Sequence, residues 1–262
     1  MSSVSLTDAL KAEYQDLFDT CNIRTEKFAV VESIVNKLLN NKSRYRDVGG
    51  PAGIPWFFIA VIHNMESSLN FNTHLHNGDP LSARTVHVPA GRPQGGNPPF
   101  AWEESAADSL KFQKLDLWND WSLPGLLYKL EAYNGFGYRT KHPDVLSPYL
   151  WSYSKHYTSG KYVADGRWSD TAVSNQCGAA VLLRRLAEKN EITFPDIPIP
   201  SKDEAPVIKY STIKIPYAED LQTFLNKFPG IYVEVDGVPG QRTSDAFKKV
   251  TGYYLKGDGR GT

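Results

Sequence analysis

Pro55-Trp56-Phe57-Phe58-Ile59-Ala60-Val61-Ile62-His63-Asn64-Met65-Glu66-Ser67-Ser68 reads as a helix that is apolar on nearly every face and ends in one carboxylate. Proline is pre-set for the first turn, where its missing N–H costs nothing. A helix so apolar is buried, so Glu66 emerges from a core onto the surface or cleft that caps the helix. Desolvation raises a carboxyl pKa, and a raised pKa is what a general acid needs near neutral pH. A lone glutamate in that place can also be a solvated end residue. The segment that follows favours chemistry, because it is polar, rich in Gly and Asn, and reaches a second acid at Asp79.

On the N-terminal side, 7–22 and 25–40 carry the spacing of amphipathic helices; Phe28, Val31, Ile34, Val35, Leu38 and Leu39 form a core-facing stripe. Gly49, Gly50, Pro51 and Gly53 break the pattern before the apolar helix. From 71 to 99 the chain reads as a functional loop or small ribbon, with a short strand expected at 84–88. Helical patterning returns at 101–119, 123–133 and 175–189, around a Tyr/Trp-rich irregular stretch at 149–168. Prolines then alternate with polar residues from Phe194 to Pro206, the composition of an extended linker. Two further helical patterns, 218–228 and 244–250, flank the turn Val235-Asp236-Gly237-Val238-Pro239-Gly240. The expected organisation is a mainly α chain: a helical domain at 1–192, a linker at 193–212 and a small module at 213–262.

The 262 residues carry 29 basic and 29 acidic side chains, so no global field points to nucleic acid or an anionic membrane. No apolar run reaches membrane-spanning length, and no basic-then-apolar signal region opens the chain. Synthesis in the cytoplasm is expected, with release or injection needed for any action outside it. Cys21 and Cys177 have neither metal nor redox spacing and read as buried thiols.

Two segments together resemble the lysozyme-like superfamily, in particular goose-type lysozymes and soluble lytic transglycosylases. Glu66-Ser67-Ser68-Leu69-Asn70-Phe71 is similar to the helix end that holds the family's catalytic glutamate. Leu130-Glu131-Ala132-Tyr133-Asn134-Gly135-Phe136-Gly137-Tyr138 is similar to a later helix end that lines the sugar cleft, and the two stand in the family's order. The Gly-Leu-Met-Gln element of transglycosylases is missing; Thr73-His74-Leu75-His76-Asn77-Gly78-Asp79 stands in its place. Goose-type lysozymes are similar in placing a second acid on the loop beyond the glutamate. Leu221-Gln222-Thr223-Phe224-Leu225-Asn226, the turn at 235–240 and Thr243-Ser244-Asp245-Ala246-Phe247 resemble a three-helix peptidoglycan-binding domain, with Pro239 in place of an aromatic.

The resemblance implies a lysozyme-like helical domain with a small loop or β-ribbon lobe, fused to a three-helix wall-binding module. It implies an N-acetylmuramidase that cuts the glycan strand of bacterial peptidoglycan, working as a monomer without cofactor, metal or membrane insertion. Glu66 would protonate the leaving oxygen, and Asp79 would hold and deprotonate the water on the other face of the sugar. Asn77-Gly78-Asp79-Pro80 is also ordinary turn chemistry; in that case Glu66 acts alone, as in transglycosylases. Tyr133, Asn134, Tyr138 and Ser67 are the implied substrate-binding residues. Asn134-Gly135 is equally a helix stop, and Glu131 reads as an exposed or ion-paired helix residue. Trp151, Tyr153, Tyr157, Tyr162 and Trp168 divide between core and sugar-stacking surfaces. Two other functions stay open. One is a non-catalytic wall-binding protein; the other is a zinc peptidase that uses His74, His76 and Asp79.

Overall fold

Helix α4 (Trp56–Ser67) is the axis of the first unit, with every residue from Trp56 to Met65 buried. The computed structural model describes residues 4–194 and 208–261. They divide into two compact units, one within Met1–Ile197 and one within Pro198–Thr262. The greater part of the expected linker, 195–207, lies outside the described residues.

Around α4 the amphipathic stripes close as their spacing requires. Helix α1 (Asp8–Asp19) starts where the Thr7 hydroxyl accepts from the Leu10 amide at 3.2 Å, and it buries Leu10, Tyr14 and Phe18. Helix α2 (Phe28–Asn40) buries Val31, Val35 and Leu38. Helix α3 (Lys42–Gly49) runs into the α4 entry through Gly49, where a Cβ would stand 2.3 Å from the Ile54 carbonyl oxygen. No larger residue fits there without moving backbone.

Helix α5 (Trp102–Phe112) packs on α3, and α6 (Leu123–Asn134) packs on α1. Two short helices follow, α7 (Gly137–Lys141) and α8 (Pro148–Trp151), before α9 (Ala179–Glu188) packs on α2, α4 and α8. Gly178 lets the backbones meet at the α9 entry, since a Cβ there would lie 2.3 Å from the Leu150 carbonyl oxygen. Fully buried Phe58, Ile59, Ile62, Leu126, Leu127 and Leu130 fill the centre. Each such side chain is worth about 1.5–3 kcal/mol of burial.

The structure is mainly helical, and its only sheet among the described residues is one ribbon. Strands β1 (Lys161–Ala164) and β2 (Arg167–Ser169) pair antiparallel with Tyr162 opposite Trp168. The ribbon therefore lies in the stretch read as irregular. The strand expected at 84–88 does not form, because the Val86 and His87 amides bond to the Asp79 carboxylate rather than to a neighbouring strand. Helix α5 also stops short of Asn119, since Lys114 turns left-handed at φ 56°.

The second unit contains two helices among the described residues, α10 (Ala218–Leu225) and α11 (Gln241–Thr251), where three were expected. Residues before α10 stay extended because their amides bond outward: Tyr210 to Lys256, Ser211 to Pro239 and Ile215 to Gly237. Leu225, Ile231, Val233 and Ala246 form this unit's own core. Buried Gln222 ties its sequence motifs together. Its amide nitrogen donates to Asp236 at 2.7 Å and Thr243 at 3.2 Å, and its oxygen accepts from the Asp236 and Gly237 amides. No helix among the described residues is long and apolar enough to cross a membrane.

Candidate active site

Glu66 occupies the last turn of α4, half-buried, where the helix ends in an unusual way. Ser68 and Leu69 both take left-handed backbone conformations, at φ 51° and 62°. Their amides return to Asn64 and His63, both at 3.2 Å, which satisfies carbonyls that the helix end leaves open. Ser67, expected among the substrate-binding residues, donates its hydroxyl back to the His63 carbonyl at 3.2 Å. Two consecutive non-glycine residues in this region store strain directly after the acid. A left-handed residue with a side chain costs about 1–2 kcal/mol, partly offset by the freedom glycine loses on folding. Ser68→Gly is therefore expected to gain up to about 1 kcal/mol in urea denaturation; a loss would show that the serine side chain holds the turn.

Two tyrosines flank the carboxyl. Burial raises the Glu66 pKa above the ordinary glutamate value, and a hydrogen bond from the Tyr149 hydroxyl to Oε1, 2.8 Å long, offsets part of that rise. Burial and then the Glu66 charge push the Tyr149 phenol well above its usual value, and they do the same to Tyr133. Both hydroxyls hold their protons and are fixed donors or dipoles beside Glu66.

Tyr149 also forms part of a cleft of about 390 Å³, with Asn134, Tyr138, Lys161, Tyr162 and Gln176 on its walls. Gln176 donates to the Met65 carbonyl at 2.7 Å, which joins the cleft wall to the residue beside Glu66. Asn134 and Tyr138 thus line this cleft, whereas Tyr133, in the last turn of α6, is not among its lining residues and stands beside the acid. Of the five aromatics singled out in sequence, Tyr162 lines the cleft. Trp151 is in the core, and Trp168 stacks flat on His142 with ring centroids 3.5 Å apart.

The turn bearing Asp79 runs alongside: a Cβ on Gly78 would come within 3.8 Å of the Glu66 carbonyl oxygen. Asp79 itself is 6% exposed. One carboxylate oxygen accepts from the Val86 and His87 amides at 2.8 and 3.0 Å, and the other meets His87 Nδ1 at 2.6 Å. Burial pushes this carboxyl up, but the His87 amide and ring and the Val86 amide outweigh it and hold the group at about 2. Asp79 is ionised across the physiological range and organises the loop from 79 to 87.

The histidines point to separate partners. His74 meets Ser105 Oγ at 2.7 Å and the Ala83 carbonyl at 2.8 Å, which engages both ring nitrogens. His76 meets Asp108 at 2.9 Å. Among the described residues, no three His, Cys, Asp or Glu side chains converge to hold a metal.

Beneath the cleft wall, Glu131 is 2% exposed. It accepts from the Tyr14 hydroxyl and takes a forked pair from Arg139 at 3.1 and 2.8 Å. Sequence reasoning missed Tyr149, Lys161 and Gln176, which reach the site from segments 83 to 110 residues beyond Glu66 with no short-range spacing to mark them. Comparison of the chain with family models, with curated proteins and with solved structures finds no match.

Proposed function

We propose that the first unit cleaves the glycan strand of bacterial peptidoglycan with Glu66 as general acid, and that the second unit holds the enzyme on the wall. The observation that carries the reading is a carboxyl at the end of a buried helix, its pKa raised by desolvation, bonded to Tyr149 and placed beside a polar cleft. A protonated carboxyl of this kind can deliver its proton to a glycosidic oxygen as the C–O bond breaks, and the oxocarbenium-like sugar then needs a nucleophile. The cleft offers hydroxyl and amide groups that suit an N-acetylated sugar. The likeness of the sequence around Glu66 and Asn134 to lysozyme-like enzymes supports the same choice, and the separate partners of His74, His76 and Asp79 weigh against the zinc peptidase. Incubation of purified sacculi with the protein should release soluble muropeptides, identified by mass spectrometry; binding without release would favour the non-catalytic wall protein.

Two routes can finish the reaction. In one, Asp79 activates water and the enzyme is an inverting muramidase. In the other, Glu66 acts alone: its carboxylate takes the proton from the muramyl C6 hydroxyl, which attacks C1 and closes an anhydro ring. The three hydrogen bonds on Asp79 favour the second route, because they occupy its oxygens and lower its basicity. Asp79→Asn is therefore expected to stay within a few-fold of wild type, since Asn also suits the turn, and wild-type products should carry anhydro ends. A loss of about a hundredfold or more, with reducing-end products, would restore Asp79 as the base.

A further inference from the structure

Among the residues that line the cleft, Lys161 bears the single full charge. It begins strand β1, opposite Ser169 on β2, and the ribbon is anchored against the wall that includes Tyr138. The Tyr162 amide reaches the Tyr138 hydroxyl at 3.4 Å, and the Trp168 ring meets both Tyr138 and Tyr162 edge-on. The neighbouring cation of that wall, Arg139, is bound by Glu131 and Glu13. Lys161 has no carboxylate partner among the described residues; the ion pairs of the first unit all use other cations. The ribbon thus presents an unmatched ammonium at one side of a cleft whose other lining residues are neutral.

Resting on the glycan-cleavage reading above, we infer that Lys161 is a specificity residue that selects glycan strands bearing carboxylates, the peptide-substituted muramyl strand, over neutral N-acetylated glycans. An ammonium on a four-carbon stem is a point charge that serves carboxylates at several positions. That suits a peptide stem hanging from the sugar by a flexible linkage. A neutral polymer gives Lys161 nothing in exchange for the water it loses.

The test compares three substrates: native peptide-bearing strands, the same strands with carboxyls converted to carboxamides by carbodiimide and ammonia, and neutral chitooligosaccharide. For wild type, kcat/KM on native strands should exceed that on amidated strands by about five- to tenfold. The difference should sit in KM and shrink at high salt. Lys161→Met should bring the ratio near one, and Lys161→Arg should keep most of it. A ratio unchanged in Lys161→Met, or wild type that prefers neutral strands, overturns the inference. Calorimetric binding of native and amidated tetrasaccharide muropeptides to Glu66→Gln reads the same ratio without turnover. Charge-selective binding lost in the Glu66→Gln, Lys161→Met double variant, with no cleavage by wild type, would sink the enzymatic reading and leave the Lys161 assignment standing.

Discussion

Glu66→Gln should abolish release of muropeptides and at the same time make the protein more stable. Glutamine keeps the shape of the side chain and an oxygen to accept the Tyr149 hydroxyl, so the 2.8 Å contact survives. What disappears is the transferable proton, and general acid catalysis is worth about two to four orders of magnitude. The gain in stability follows from the cause of the raised pKa. Burial disfavours the ionised form in the folded chain, so folding holds Glu66 above its unfolded pKa of about 4.3. A carboxyl raised in this way supports the fold fully below the unfolded value and loses that support as pH rises through the folded value. The variant has no such loss. Its advantage should be small near pH 4 and grow toward neutrality, as a rise of a few degrees in Tm, since about 1 kcal/mol moves a domain of this size by roughly 2–4 °C. Activity above a tenth of wild type would remove Glu66 as the acid, and a Tm at pH 7 below wild type would show that its charge is compensated by the site.

The position of that acid was legible from fourteen residues, because an apolar run from Trp56 to Met65 leaves few choices other than a core helix. The stripe on α2 and the entry of α1 follow from local spacing in the same way. What lay out of reach depends on contacts made across the chain. Tyr149 faces Glu66 only because α8 packs between α6 and α9, and no periodicity near Tyr149 records that. The ribbon at 161–169 was hidden by its length, since strands of four and three residues barely show a two-residue alternation. The valine-rich run at 84–88 had the strand signal without the partner. Asp79 shows the sharper limit. The same four residues spell a turn and a catalytic loop, and the three donors that reach its carboxylate come from Val86 and His87, which nothing in the turn itself announces.

Glu131 was the residue most open to misreading, and Glu131→Ala should be the most destabilising single change among those considered. The side chain sits on α6, two residues before Tyr133, and gathers Tyr14 from α1 and Arg139 from α7. Arg139 in turn reaches Glu13 at 2.8 Å. Removing the carboxylate leaves a buried phenol without an acceptor and a partly buried guanidinium with one exposed partner. Breaking a buried pair from one side costs about 3–5 kcal/mol, because the remaining charge is left uncompensated. The expected fall in Tm is on the order of 10 °C. Glu131→Gln keeps an acceptor and should fall less. The position of the pair gives it a second readout. The turn from Asn134 to Tyr138, which lines the cleft, is bracketed by Glu131 on one side and Arg139 on the other. A slackened bracket should raise KM for glycan strands more than it lowers kcat, measured below the variant's melting range. If Glu131→Ala melts within about 1 kcal/mol of wild type, the network contributes little net stability. If kcat falls while KM holds, Glu131 acts on the chemistry rather than on the shape of the wall.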